Sequence, residues 1–167
     1  YAIESSPKKG YKLISVPDIL NSYEISSDLR TEKIGKNLYC LDEVDSTNTY
    51  AKKLAYEGCE DGTVVIANRQ FSGRGRLGRS WVSSDHAGIA MSVVLRPSIS
   101  PEQAQVVTLA ASVAVVKAID RVAGVVAGIK WPNDVLLGNR KVCGILTEMS
   151  SEIDRINFIV VGIGINV

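Results

Sequence analysis

Apolar positions along the chain fall into runs with two periods. "NLYCLDEV", "GTVVIAN", "GIAMSVVLR", "RKVCGILTEMS" and "INFIVVGIGI" are short stretches bounded by turn-forming residues, and they read as strands. Helical spacing appears twice. In "DSTNTYAKKLAYEG", Tyr50, Ala51, Leu54 and Ala55 recur on one face behind helix-start chemistry at Asp45, Ser46 and Thr47. Gly58 sits where a C-terminal cap belongs. In "SPEQAQVVTLAASVAVVKAIDRVAG", Ser100 and Gln103 form a capping box around Pro101, and Gly124 ends the helix. "AGIKW", a "PND" turn, "VLLG" and a Gly138-Asn139 reversal fill the interval before "RKVCGIL". Most strands are joined by short turns. The pattern predicts an α+β domain with a mixed, largely antiparallel sheet and helices packed on one face.

The first 37 residues read differently. "SSPKKGYKLIS" is a polar turn followed by one short strand with no core of its own, and "VPDILNSYEISSDLR" is a short helix with a linker. The expected organisation is therefore a tail over residues 1–14, a linker over 15–37 and a domain from 38 to 167. The sequence opens at Tyr1 and stops inside the apolar run "INFIVVGIGINV", as part of a longer protein would.

Composition narrows the function more than the fold. At 167 residues and net charge +1, the chain has no global field to attract nucleic acid or a membrane surface. Basic chemistry must be local, and between Asp61 and Asp85 there are four arginines and no acid. Cys40, Cys59 and Cys143 are odd in number with no CxxC spacing, which fits a reduced, cytoplasmic setting. His86 is the single histidine, which argues against a His-based metal site or a Ser-His-Asp triad. No signal peptide or membrane span is visible.

The local chemistry is concentrated in "FSGRGRLGRSW". Arg74, Arg76 and Arg79 alternate with Gly73, Gly75 and Gly78, ahead of Trp81. Its GxGxxG follows a strand, but another strand comes next where a dinucleotide fold needs a helix. A solvated turn would explain the glycines alone. A loop ordered by an anion explains the arginines as well, since charge-assisted hydrogen bonds of about 1.5–3 kcal/mol each offset the ordering entropy. Trp81 reads equally as core or as a flat face for a base. In "KWPNDVLLGNRKVCGIL", strict alternation puts Lys141, Cys143 and Ile145 on one face, making Lys141 either an edge snorkeller or an inward charge. Gly144 leaves room for close approach. In "GIGIN", Gly162 and Gly164 face away from Ile163 and Ile165, before Asn166.

Taken in order, "DSTN", "RQFSGRGRLGRSW", "KWPNDVLLGNRKVCGIL" and "GIGIN" resemble the catalytic domain of biotin protein ligases, the biotin–[acetyl-CoA-carboxylase] ligases. The resemblance runs from about Leu38 to Val167. It implies the biotin/lipoate ligase fold, related to class II synthetases, with the rest of that domain and a small C-terminal β-barrel domain lying beyond this sequence. "SSPKKGYKLISVPDIL" is similar to the last strand and exit of the winged-helix domain of bifunctional ligase–repressors.

The resemblance implies activation of biotin by Mg·ATP to biotinoyl-5′-AMP, followed by transfer to a lysine of a biotin carboxyl carrier protein. It assigns Ser46, Thr47, Asn48, Gln70, Gly73, Arg74, Gly75 and Gly144 to biotin. Arg76 and Lys141 would serve both biotin's carboxylate and the α-phosphate. Arg79, Trp81, Asn133 and Asn166 would serve the nucleotide, and Asp134 the acceptor lysine. No metal ligand is assigned. A homodimer, and operator DNA where the winged-helix domain is complete, are further partners it implies; a membrane is not. Competing readings are a lipoate ligase, a DNA-binding repressor module and a purely structural module.

Overall fold

The computed structural model describes residues 1–15, 20–82 and 88–166. His86 and residues 16–19 of the expected linker lie outside the described residues. The chain begins with an antiparallel hairpin, β1 (Ala2–Ser6) and β2 (Gly10–Ser15), so the tail contains two strands where the sequence suggested one. Lys8 at φ 65° and Gly10 at φ 85° make its turn. A short helix, α1 (Ser22–Ser27), follows, its N-terminus capped by the Asn21 side chain.

The main sheet has seven strands: β3 (Leu38–Val44), β4 (Val64–Gln70), β5 (Gly88–Leu95), β6 (Gly128–Lys130), β7 (Asp134–Leu137), β8 (Arg140–Ser151) and β9 (Ile156–Asn166). Their order is β3-β4-β5-β9-β8-β7-β6. Only β3 and β4 run parallel. Their connection carries α2 (Thr47–Tyr56), the crossover that a parallel pair requires. The other long helix, α3 (Ala104–Ala123), starts from the predicted Ser100–Gln103 capping box through a 3₁₀ turn at Pro101–Gln103. It stops at Gly124, which is left-handed at φ 65°.

The α+β class and the mixed, largely antiparallel sheet agree with the sequence pattern. The helices, expected on one face, are divided between two. Ala51 and Ala55 of α2 pack with Val65, Val94, Phe158 and Val160, whereas Val115 of α3 packs with Cys143, Ile145, Ile159 and Val161. The reason lies in β9, where Phe158 to Val161 are buried at both parities, so each face of the strand needs a cover. Burial also pushes the Cys143 thiol up to about 12, which leaves it a protonated core residue.

Arg96, just past β5, pins α2 to the sheet. Its guanidinium donates to the carbonyls of Ala55 (2.8 Å), Cys59 (3.2 Å) and Asn157 (3.0 Å). A cation at a helix C-terminus satisfies orphan carbonyls and opposes the helix dipole. The other end of α2 is thereby held where the polar site is built. Among the described residues no helix is long and apolar enough to cross a membrane.

Candidate functional site

The N-terminus of α2 is a polar wall inside the protein. Ser46, Thr47 and Asn48 are all buried, as is Ser92 of β5 beneath them. Gln70, at the end of β4, caps the helix: its Oε1 accepts from the Thr47 amide at 2.7 Å and the Thr47 hydroxyl at 3.0 Å. Ser92 Oγ lies 2.8 Å from Thr47 Oγ1 and donates to Asn48 Oδ1 at 2.6 Å. Asn48 Nδ2 donates to Glu148 Oε2 at 2.9 Å. Buried amides and hydroxyls are costly unless paired, and these are paired with one another.

The Gly-Arg loop closes over this wall. Ser72 N–H ties it to the Asp45 carbonyl (2.9 Å), and its limbs are joined by Gly75 N–H to the Arg79 carbonyl (2.7 Å) and Trp81 N–H to the Gly73 carbonyl (2.8 Å). Gly73 is required by contact, since a Cβ there would meet the Trp81 carbonyl oxygen at 2.5 Å. A 3₁₀ turn at Arg76–Gly78 forms the apex, with Leu77 left-handed at φ 54° and 91% exposed. Arg76 reaches the second motif, its Nη1 donating to Asn133 Oδ1 at 2.6 Å.

The third group is on β8. Strict alternation placed Lys141 beside Cys143 and Ile145, and the register overturns this. Val135 pairs with Cys143 while Leu136 pairs with Lys141, so a bulge at Val142 turns Lys141 onto the opposite face, with Gly144. There Lys141 Nζ lies 2.8 Å from Asp134 Oδ1 and 5.6 Å from the centre of the Trp81 ring. Asn133 Nδ2 also donates to Asp134 Oδ1, at 2.9 Å.

Trp81 lies against a floor of glycines. A Cβ on Gly144 would come 2.8 Å from its ring, and one on Gly164 would come 2.4 Å from it. Its indole Nε1–H is buried without a partner, at a cost of about 1–3 kcal/mol that a ligand acceptor would remove. With the ring there, the cavity between wall, loop and floor measures about 50 Å³. Ligand pockets run to about 300–1,000 Å³.

Most residues assigned from the motifs meet around this cavity. Ser46, Thr47, Asn48 and Gln70 line one end; Arg74, Gly75 and Arg76 the loop side; Trp81, Asn133, Lys141 and Gly144 the other end. Gly73 and Asp134 stand behind it. Arg79 and Asn166 are exposed and outside the lining, Asn166 pairing with Gly88 at the end of β9. Sequence reasoning missed Ser92, Leu146 and Glu148, which carry no motif signal. Their only mark is parity with Gly144 and Gly162 across paired strands.

Residues 40–166 match the model of the biotin/lipoate A/B protein ligase family. The chain belongs to that family. It is 44% identical over all 167 residues to the bifunctional ligase/repressor BirA of Bacillus subtilis, covering 51% of that protein. It is 42% identical over 128 residues to the biotin–[acetyl-CoA-carboxylase] ligase of Paracoccus denitrificans, with 75% of this chain and 52% of that one covered. Among solved structures, the biotin protein ligase of Aquifex aeolicus in complex with biotin and ATP matches with a TM-score of 0.64 at 38% identity. The match covers 79% of this chain and 53% of that one. The chain thus spans about half the length of the curated ligases it matches. Within the ligase family, its motif residues gather on one face of the sheet, the face that carries α2.

Proposed function

We propose that this chain is the core of a biotin–protein ligase that activates biotin with ATP and passes it to a lysine of a biotin carboxyl carrier protein. One observation carries the reading: Arg76 from the loop and Lys141 from β8 line the same small cavity as the polar wall of Thr47, Asn48 and Gln70. A carboxylate and a triphosphate repel, so their reaction needs fixed cations where the charges meet. The wall offers the dense donors and acceptors that a buried urea needs, which favours biotin over the apolar chain of lipoate.

In the first half-reaction a biotin carboxylate oxygen bonds to the α-phosphorus as the bond to pyrophosphate breaks. In the second, the acceptor amine attacks the acyl carbon, loses its proton and displaces AMP. Lys141 and Arg76 would bear the charge at the bridging carboxylate and α-phosphate. Asp134, now paired to Lys141, would orient or deprotonate the acceptor amine. Trp81 would leave the glycine floor and present its face to adenine, with Asn133 nearby. Arg79 and Asn166 enter only as contacts at the outer edge of the nucleotide. Mg²⁺ would arrive with ATP, bound by phosphate oxygens; it supplies further neutralisation of the triphosphate.

The tail over residues 1–14, which holds all of the β1–β2 hairpin but Ser15, is proposed as the end of a winged-helix domain, which would make the whole protein a biotin-operon repressor as well. The similarity to bifunctional ligase/repressors favours this second role. A homodimer and a cytoplasmic location complete the proposal. The test is mass spectrometry of the full-length protein mixed with biotin, lipoate and Mg·ATP. Biotinoyl-AMP is expected; lipoyl-AMP alone, or no adenylate, would overturn the assignment.

A further inference from the structure

We propose that Glu148 is a positioning residue that fastens the Gly-Arg loop to the polar wall of the pocket. Its effect on ligand rests on the biotin reading above; its effect on the loop does not. Glu148 lies on β8 opposite Val160, on the same face as Gly144 and Leu146, with a side chain 19% exposed. Three side chains from two separate segments converge on its carboxylate. Asn48 at the start of α2 donates to Oε2 at 2.9 Å; Lys52, one turn further on, lies 3.2 Å from Oε1. Arg74 of the loop lies 3.5 Å from the same Oε1.

The arrangement does two things. It fixes the Asn48 amide, because Nδ2 must face the carboxylate while Oδ1 accepts from Ser92. It also gives the loop a charged anchor at its first arginine, where Arg74 bridges Ser80 and so joins the two limbs. One carboxylate between two cations leaves a net positive charge, so removing it would leave Lys52 and Arg74 repelling each other across the loop's seat. Glu148 does not line the cavity; it acts through Asn48 and Arg74.

The experiment compares the full-length protein with Glu148→Gln, Glu148→Asp, Arg74→Ala and the Glu148→Gln/Arg74→Ala double variant. Two quantities are read: hydrogen exchange of residues 72–80 without ligand, and biotin affinity by calorimetry. Glu148→Gln is expected to speed loop exchange and weaken biotin by about tenfold, and the double variant to be no worse than the weaker single one. Glu148→Asp, which keeps the charge, should recover part of both. A role confined to stability would lower the melting temperature and leave loop exchange at the wild-type value, which would overturn the proposal, as would effects on loop exchange that multiply in the double variant. Should Glu148→Gln fail to fold, Arg74→Ala carries the test, and unchanged loop exchange there sinks it. A wild-type protein that does not bind biotin, with faster loop exchange in Glu148→Gln, would remove the biotin reading and leave the fastening in place.

Discussion

Gly162 is the seat of Asn48. A Cβ at residue 162 would lie 2.1 Å from Asn48 Oδ1 and 2.8 Å from its amide carbon. β9 therefore gives up a side chain so that an amide from a helix on the other side of the pocket can lie against the sheet. Ser92 and Glu148 then hold both ends of that amide. Gly162→Ala is expected to push Asn48 out of the wall and weaken biotin binding by tenfold or more, since a buried amide would lose its partners. Calorimetry with an unchanged circular dichroism spectrum would check this; wild-type affinity would mean that Asn48 does not hold the vitamin.

Arg76 and Lys141 come from elements that fold independently of the chemistry assigned to them. Arg76 is exposed, the Lys141 side chain is half-exposed, and neither belongs to the apolar clusters. Replacing either with Ala should lower biotin-dependent pyrophosphate exchange by roughly 10²–10³-fold, the scale seen for removal of one preorganised charge-stabilising donor. The folded fraction should stay the same. Activity within a few-fold of wild type would show that the cations are not at the reacting atoms.

Trp81 occupies one end of the cavity. About 50 Å³ is free beside the ring, against about 300–1,000 Å³ for a ligand pocket, so on the biotin reading the indole is expected to leave the floor of Gly144 and Gly164. Tryptophan emission should shift on adding biotin and ATP. The shift should vanish in Trp81→Phe and persist in Trp131→Phe, because Trp131 is already 70% exposed. A response carried by Trp131 alone would place the entry path elsewhere.

Acid should loosen the molecule in a defined window. For Glu148, burial by itself would raise the carboxyl, but hydrogen bonds from Asn48 and Lys52 and the charges of Lys52 and Arg74 hold it below its ordinary value of 4.5. Asp61 behaves likewise: burial opposes ionisation, and Lys33 with the Arg96 backbone amide more than offsets it, below an ordinary 3.8. A carboxylate with a lowered folded-state value stabilises fully above its unfolded value and loses that contribution as pH falls through the folded one. Urea midpoints should thus drop below about pH 4.5, and less steeply in Glu148→Gln. Parallel curves for the two proteins would show that Glu148 gains nothing from its partners.

Much of this was legible in the chain because it is local. The capping box at Ser100 and Gln103, the stop at Gly124 and the tight turn at Gly138 depend on residues within a few positions of each other, and backbone sterics settle them. The Gly-Arg, "KWPND" and "GIGIN" motifs were legible for a related reason: chemistry that must meet anions and a close backbone uses few residue types. What the sequence could not fix was anything set by pairing at long range. The bulge at Val142 depends on how β7 registers against β8, and it alone turns Lys141 from the core face to the cavity. The division of α2 and α3 between two faces follows from β9 being apolar at both parities within a sheet whose order is not its chain order. Glu148 reads as an ordinary strand glutamate until Asn48, a hundred residues earlier, is folded against it. Local sterics and reagent chemistry are written residue by residue, whereas register and convergence exist only once distant strands have chosen their neighbours.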